Sequence, residues 1–329
     1  MSTALPIVRG PVEPIGVGVD AVGGAHDIAA RSPLQLFWAR FRRDRVALCA
    51  LAFIAVLVIA AIAAPLILSL TGSPDPKAED FDALDSFGTI TGPSSEHLLG
   101  VYGNGRDLLS GILYGARVSL TVALVSTALA LLAGVTAGMI AGYYRGWTDA
   151  VISRLVDIVL AVPILLLALG VGAACSTSAG CAGGTIKPGL SVVILVIVVA
   201  NWTYVARIIR GQVLSLRERE FVEAGRSLGA SDRRILMRDI LPNLVAPIIV
   251  YGTLLIPQSI LFEAALSFIG IGVRPGVPTW GAMLEDASHM LDSAWWYAAF
   301  PGLALLMTVL AFNLLGDGLQ DALDPKRTT

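Results

Sequence analysis

The sequence predicts an all-α integral membrane protein with six transmembrane helices and with both termini in the cytoplasm. Of its 329 residues, 55% are hydrophobic and only 15% are charged, more apolar surface than a soluble protein of this size can bury. A helix that crosses about 30 Å of hydrocarbon needs roughly 20 apolar residues. Six segments without Asp, Glu, Lys, Arg or His meet or nearly meet this length: 46–74, 118–144, 158–186, 188–206, 240–262 and 293–316.

The distribution of basic residues predicts the orientation. Lys and Arg near the ends of transmembrane helices are retained on the cytoplasmic side. With the N-terminus inside, the cytoplasmic segments contain 18 of the 23 basic residues. The long loop after the first span, residues 71–113, has seven acidic and two basic residues and would be external.

Three regions are predicted along the chain. Residues 1–31 are rich in glycine, proline and valine and would form a flexible cytoplasmic tail. Residues 32–90 would contain an interfacial helix, the first transmembrane helix and the start of the external loop. Residues 91–329 would contain the other five transmembrane helices and a cytoplasmic hairpin at 217–242.

The segment after Ser32 predicts a short helix at the cytoplasmic lipid surface. Alternatively it is only the charged flank of the first span, and both interpretations place it inside. Aromatic and basic residues are mixed in it: Phe37, Trp38, Arg40, Phe41, Arg42, Arg43 and Arg45.

Several classes of function are disfavoured. With 23 basic and 25 acidic residues, no strong field favours nucleic acid as a partner. Three cysteines are too few for a disulfide scaffold, and His97 has no second His or Cys at ligand spacing, so no metal site is expected. The histidines lie outside the predicted spans, which argues against an intramembrane enzyme.

Acidic residues near membrane depth raise the alternative of a proton-coupled secondary transporter. Asp157, Glu263 and Asp317 lie within a few turns of a span end, so snorkelling, capping or a helix–helix hydrogen bond explains them at least as well as ion coupling. No internal repeat is found.

Two small sets of residues predict local structure. Gly134, Gly138 and Gly142 recur every four residues, which places them on one helical face where another backbone can approach closely. Cys175 and Cys181 lie in a Gly-rich external segment and are expected to form a disulfide, although two free thiols are the alternative. Cys49 is expected to be a buried free thiol.

The arginine-rich segment from Gly211 to Pro242 predicts two short cytoplasmic helices. A first helix would end near Leu228 with Gly229 as its C-terminal cap, and a second would start at Ser231. Pro242 would separate that second helix from the next span. Composition alone would also fit an ordinary solvated loop beside anionic lipid.

The order of residues in this segment resembles that in the permease subunits of bacterial ABC importers. Their signature is EAA, three residues, Gly, nine residues, then Ile-x-Leu-Pro. Glu223-Ala224-Gly225, Gly229 and Leu241-Pro242 match it in register. Two positions depart: Gly225 replaces the second alanine, and Asp239 replaces the isoleucine, with Ile240 one place later.

The similarity extends to the dipeptide and oligopeptide (peptide/nickel) branch of these permeases, specifically the C-type partner of the permease pair. It covers roughly residues 32–327. The stretches that carry it are HLLG, GRDLLS, YGARVSL, AGYYRGWTDAVISRLVDIVLAVP, EAALSFIGIGVRP, PTWG and FNLLGDGLQDALDP.

The resemblance implies a type I ABC importer permease fold in the bacterial cell membrane and no catalysis by this chain. It implies a second permease, one or two kinds of ATPase subunit that bind ATP and Mg, and an external peptide-binding protein. No GxxxxGK[ST] phosphate loop is present, in line with a chain that binds no cofactor. The residues implied to couple to the ATPase are Glu223, Ala224, Gly225, Ser227, Leu228, Gly229, Ala230, Ser231, Leu241 and Pro242.

The external segment from Gly272 to Trp296 is the expected docking surface for the binding protein. Its prolines and glycines indicate an irregular backbone. Pro278, Trp280 and Met283 would provide the contacts.

Overall fold

A computed structural model describes residues 33–72, 78–86, 88–175, 189–271 and 276–323, and the predicted tail at 1–31 lies outside them. The helices are α1 Pro33–Phe41, α2 Arg45–Ile62, α3 Ala64–Thr71, α4 Leu108–Tyr144, α5 Gly146–Ala161, α6 Ile164–Cys175, α7 Leu190–Leu216, α8 Glu220–Ser227, α9 Asp232–Arg234, α10 Leu241–Phe268, α11 Trp280–Ser288 and α12 Trp295–Leu323. A short antiparallel pair, β1 Val101–Tyr102 and β2 Arg106–Asp107, precedes α4.

Five helices of the described ranges are long and apolar enough to cross a membrane: Arg45–Ile62, Leu108–Tyr144, Leu190–Leu216, Asp232–Phe268 and Trp295–Leu323. The pair α5 and α6 becomes a sixth span when it is taken as one helix with an 88° bend. The predicted all-α, six-span fold is therefore confirmed, with one change in its third span.

That third span is broken, whereas the sequence predicted an uninterrupted run at 158–186. The break lies at Val162, whose backbone is extended with φ −87° and ψ 125°. Pro163 follows it, and a proline disfavours the helical conformation of the residue before it. The chain consequently turns sharply between α5 and α6.

The fifth span also differs from the prediction. Pro242 was predicted to separate the hairpin from the span, but a continuous helix runs from Asp232 to Phe268. Residues Ile235–Ile240 form a π-helical stretch inside it. Pro242, the second residue of α10, lies inside this continuous helix directly after the π-helical stretch, where it removes one backbone hydrogen bond. By contrast, the single helix predicted before Gly229 is divided in two, since α7 ends at Leu216 and α8 begins at Glu220.

The first span begins with a capped helix. Asp44 Oδ1 accepts hydrogen bonds from the backbone N–H groups of Val46, at 2.9 Å, and Ala47, at 3.0 Å. Cys49 on this helix is a free thiol, but it is exposed on the surface of the chain and not buried as expected. Cys175, at the end of α6, is buried. Cys181 lies outside the described residues, so the proposed disulfide stays a prediction.

The external residues before α4 form an outer layer on α11 and α12. The rings of Tyr102 and Tyr297 lie 5.6 Å apart. His97 Nδ1 lies 3.0 Å from Asp107 Oδ1, and both side chains are buried. Asp107 also caps α4 by accepting a 2.8 Å hydrogen bond from the Ser110 N–H, so this layer fixes the outer end of the second span.

The most extensive helix–helix contact joins α4 to α7. Gly134, Gly138 and Gly142 lie buried along it. A Cβ atom added to Gly134 would lie 2.5 Å from the Val205 Cβ, and one added to Gly138 would lie 2.6 Å from the Ala206 carbonyl oxygen. The two backbones approach too closely here for any side chain.

We expect Gly138→Ala to lower the free energy of unfolding by about 1–3 kcal/mol, because the new methyl group overpacks the contact. Thermal unfolding of the purified protein in detergent measures this. Gly211→Ala is the matched control, since Gly211 lies on α7 and a Cβ there meets no atom within 4 Å. Equal unfolding temperatures for Gly138→Ala and the wild type would contradict the close approach.

Candidate functional site

The hairpin between α7 and the fifth span has a sharp reversal at Gly229. This residue has φ +75°, in the left-handed region that favours glycine. A Cβ at Gly229 would meet no atom within 4 Å, so the backbone conformation and not the space requires glycine. The Gly229 N–H donates to the Arg226 carbonyl and the Ala230 N–H to that of Gly225, which closes the end of α8.

The hairpin presents an uncovered apolar side chain at this reversal. Leu228 is 88% exposed. Phe221 and Met237 of the same hairpin are also exposed, at 44% and 53%. Glu223 is exposed, and no described residue forms an ion pair with it. Leu228 and Phe221 lie outside the span-length helices, where exposed apolar side chains that lie together suit a protein partner.

The remaining hairpin residues singled out from the sequence lie either around the reversal or at the start of α10. Ala224, Ser227 and Ser231 are exposed, and Gly225 and Ala230 are half-buried. Leu241 and Pro242 belong to the start of α10 and not to the reversal itself. A Cβ at Gly225 would lie 3.7 Å from an Asp239 carboxylate oxygen, an ordinary contact, so the departure from alanine leaves a space that alanine would fill.

The hairpin is tied to the end of α4 through Tyr143. The Tyr143 hydroxyl donates a 2.8 Å hydrogen bond to Asp232 Oδ1. The guanidinium carbons of Arg226 and Arg217 lie 5.2 Å and 5.9 Å from the centre of the tyrosine ring. Partial burial, together with the charges of Arg145 and Arg226, lowers the pKa of Arg217. The guanidinium remains charged near neutral pH, where arginine is effectively always protonated.

Ion pairs join α5 to α7 near the same end of the molecule. Arg210 Nη2 donates to Asp149 Oδ2 at 2.7 Å, and its Nε contacts the other oxygen of that carboxylate. Arg207 Nη2 lies 2.8 Å from Asp157 Oδ1. Asp157 is thus half of an ion pair at the chain surface, in agreement with a structural role.

Glu263, the second acidic residue singled out from the sequence, joins helices inside the bundle. It is fully buried. Ser119 of α4 donates to Glu263 Oε2 and Ser267 donates to Oε1, each at 2.8 Å. A helix–helix hydrogen bond, one of the explanations for Glu263 that the sequence allowed, is therefore present. Asp317 is exposed on α12.

A groove of about 640 Å³ opens beside the break at Pro163, between α5, α6, α7 and α10. None of the described residues that line it carries a charge. Its polar side chains include Asn201, Tyr204, Tyr251 and Gln258. Tyr204 is 56% exposed and Gln258 is exposed, although both lie within spans. Such polar groups suit a water-filled or protein-lined space better than lipid.

The predicted docking residues on the external side are not available as contacts. Trp280 and Met283 are 0% and 2% exposed. Trp280 Nε1 donates a 3.1 Å hydrogen bond to the Ile112 carbonyl of α4. Met283 packs in a core cluster with Tyr102 and Tyr297. The docking interpretation of these two side chains is wrong, because they hold α11 against the bundle; Pro278 is half-buried.

The sequence did not single out Tyr143, Asp149 or Asp232 as functional. Tyr143 ends a span beside Arg145, and this pattern is also that of an ordinary interfacial aromatic residue. The signal that distinguishes it, two arginines and a carboxylate brought to one ring, exists only in the folded chain.

The chain matches two families by sequence. Residues 134–329 match the family described as binding-protein-dependent transport system inner membrane component, and residues 32–85 match the N-terminal TM domain of oligopeptide transport permease C.

Similar proteins include the glutathione transport system permease protein GsiD of Pectobacterium atrosepticum, with 40% identity over 91% of this chain and 93% of that protein. The dipeptide transport system permease protein DppC of Alkalihalophilus pseudofirmus is 39% identical over 90% of this chain and 91% of its own length. Among solved structures, the MetNI methionine ABC transporter in an inward-facing conformation superposes with a TM-score of 0.53 at 17% identity. The superposition covers 66% of this chain and 98% of that chain, and it supports the fold alone.

We expect Trp280→Ala to lower the free energy of unfolding by about 3–5 kcal/mol, because it leaves a cavity in the bundle and removes a buried hydrogen bond. Thermal unfolding tests this. Trp295→Ala is the control, since Trp295 is 63% exposed and its loss leaves no cavity. Unchanged stability with a weakened affinity for the external binding protein would restore the docking interpretation.

Proposed function

Because the chain belongs to the family of binding-protein-dependent transport inner membrane components and is an ABC importer permease, we propose that it moves dipeptides and oligopeptides across the bacterial cell membrane. A second, similar permease completes the pathway as a heterodimer. An external peptide-binding protein delivers the cargo. The relatives named for glutathione and dipeptide transport support a peptide cargo.

The hairpin is the proposed contact with the ATPase subunits, which bind ATP and Mg and perform the hydrolysis. The observation that carries this proposal is Leu228, 88% exposed at the reversal of a hairpin outside the apolar spans. Together with the exposed Phe221 ring it gives the hairpin an apolar surface, and grouped exposed apolar side chains mark sites of protein contact. The exposed Glu223 carboxylate, one and a half turns earlier, adds a charge for a basic group of the partner.

The uncharged groove beside Pro163 is the proposed lining of the pathway on this subunit. Broken helices near mid-membrane often border substrate pathways. Neutral donors and acceptors such as Tyr204 and Gln258 can hydrogen-bond peptide amides without selecting for the charge of the cargo. Both termini and the hairpin then face the cytoplasm, as the basic residues indicate.

We expect Leu228→Glu to weaken binding of the ATPase subunits about 30-fold, since a charge replaces a buried anchor at the interface. Co-purification of the ATPase with the assembled permeases measures this. Leu228→Met is the matched control and should retain binding. Gly229→Val should act like Leu228→Glu, whereas Gly229→Asn should be tolerated because asparagine adopts the left-handed region. Peptide uptake in proteoliposomes should fall with ATPase binding. Full binding and uptake by Leu228→Glu would remove the hairpin from the mechanism.

We expect Tyr204→Phe and Gln258→Leu each to lower peptide uptake about fivefold, because each removes one neutral hydrogen bond to the moving peptide. ATPase binding should be unchanged. Tyr144→Phe, on an exposed tyrosine outside the groove, is the control. Uptake equal to that of the wild type in both variants would exclude this groove from the pathway.

A further inference from the structure

Tyr143 contacts all the segments that must move together if the hairpin drives the spans, and this inference rests on the proposed function. It lies at the end of α4 and is 5% exposed. Besides the edge-on ring of its neighbour Tyr144, it contacts Arg217 just after α7, Arg226 in α8 and Asp232 at the start of the fifth span. One side chain thus joins the ends of two spans to both arms of the hairpin.

The hydroxyl contact connects the second span to the fifth. Asp232 is the first residue of the continuous helix that ends at Phe268. The 2.8 Å hydrogen bond from Tyr143 ends on a carboxylate, and hydrogen bonds to charged groups are stronger than those between neutral groups. Displacement of Asp232 therefore pulls on the end of α4.

The ring contact connects the second span to α8. Two guanidiniums, of Arg226 and Arg217, lie within 6 Å of the ring centre, at 5.2 Å and 5.9 Å, where the aromatic face attracts cations. Arg217 also donates to the Tyr143 carbonyl oxygen. These two like charges repel each other, so the attraction of the ring for both guanidiniums is what opposes their separation.

The second span is also held to the fourth by a contact that does not involve Tyr143. Gly134 and Gly138 join α4 to α7 deeper in the bundle through backbone contact. We propose that Tyr143 is a positioning residue that transmits displacement of the hairpin to α4 and to the fifth span, and so sets how many peptides are imported for each ATP hydrolysed.

The test compares purified complexes in proteoliposomes that carry wild-type Tyr143, Tyr143→Phe, Tyr143→Leu or Asp232→Asn. Imported peptide per ATP hydrolysed should fall about fivefold in Tyr143→Leu and about twofold in Tyr143→Phe, which keeps the ring but loses the hydroxyl. Asp232→Asn should lower the ratio of imported peptide to hydrolysed ATP as much as Tyr143→Phe does. The double variant Tyr143→Phe/Asp232→Asn should lower this ratio no further than either single variant. Tyr144→Phe is the matched control for Tyr143→Phe and should leave the ratio unchanged, because Tyr144 is the neighbouring tyrosine, is 50% exposed, and keeps in this variant the ring that packs edge-on against Tyr143.

A merely structural role would lower thermal stability or ATPase binding and leave this ratio unchanged. An unchanged ratio in Tyr143→Leu overturns the proposal, and so does complete loss of ATPase binding in Tyr143→Phe. If Tyr143→Leu fails to fold, the ratios of imported peptide to hydrolysed ATP in Tyr143→Phe and Asp232→Asn decide the test, and unchanged ratios in both overturn the proposal. A wild-type complex that imports no peptide counts against the proposed function instead. In that case, distances between spin labels on α8 and at the outer end of α10 should change with ATP in the wild type and not in Tyr143→Phe, and an equal change in both overturns the proposal.

Discussion

The architecture depends first on the backbone contact between α4 and α7. Hydrocarbon provides no hydrophobic effect that would press two helices together, so their association relies on close van der Waals packing. Gly134, Gly138 and Gly142 allow that packing over two turns. The cytoplasmic ends of both helices are fixed to each other as a result. The hairpin starts from one of these ends and rests on the other, so its position follows from the packing of the spans.

The number of spans and the approximate positions of five of them could be predicted because long charge-free runs are local in the sequence, whereas the third span begins at Gly146, before its predicted run. Whether each proline breaks its helix could not be predicted in this way. Pro163 follows a break, whereas Pro247, Pro257 and Pro301 lie inside helices. A proline inside a span is tolerated when its neighbours satisfy the backbone groups that it frees. This depends on the packing around each proline, which no local pattern of residues contains.

The residues of the candidate site could be predicted only where their pattern is local in the sequence. The spacing of Glu223 and Gly229 located the hairpin, since its signature is local in the sequence. The burial of Trp280 was missed because its hydrogen-bond partner, Ile112, is 168 residues away. Tyr143 was missed because the residues on its ring come from separate segments. Local sequence thus located the surface that we propose faces a partner, but not the contacts behind it.

The π-helical stretch Ile235–Ile240 accommodates an extra residue at the junction between hairpin and span. A π-helical turn holds one residue more than an α-helical turn, and each residue of an α-helix advances by about 100°. Deletion of one residue here can be absorbed by conversion of the π-helical turn to an α-helical turn, whereas deletion of one residue in the first half of α10 would rotate everything after it by that angle. Glu263 would then turn away from Ser119, which lies 2.8 Å from it at the far end of the span. Insertions and deletions should therefore be rare inside α10 during evolution, and single-residue length changes should be better tolerated at this junction and in the external loops.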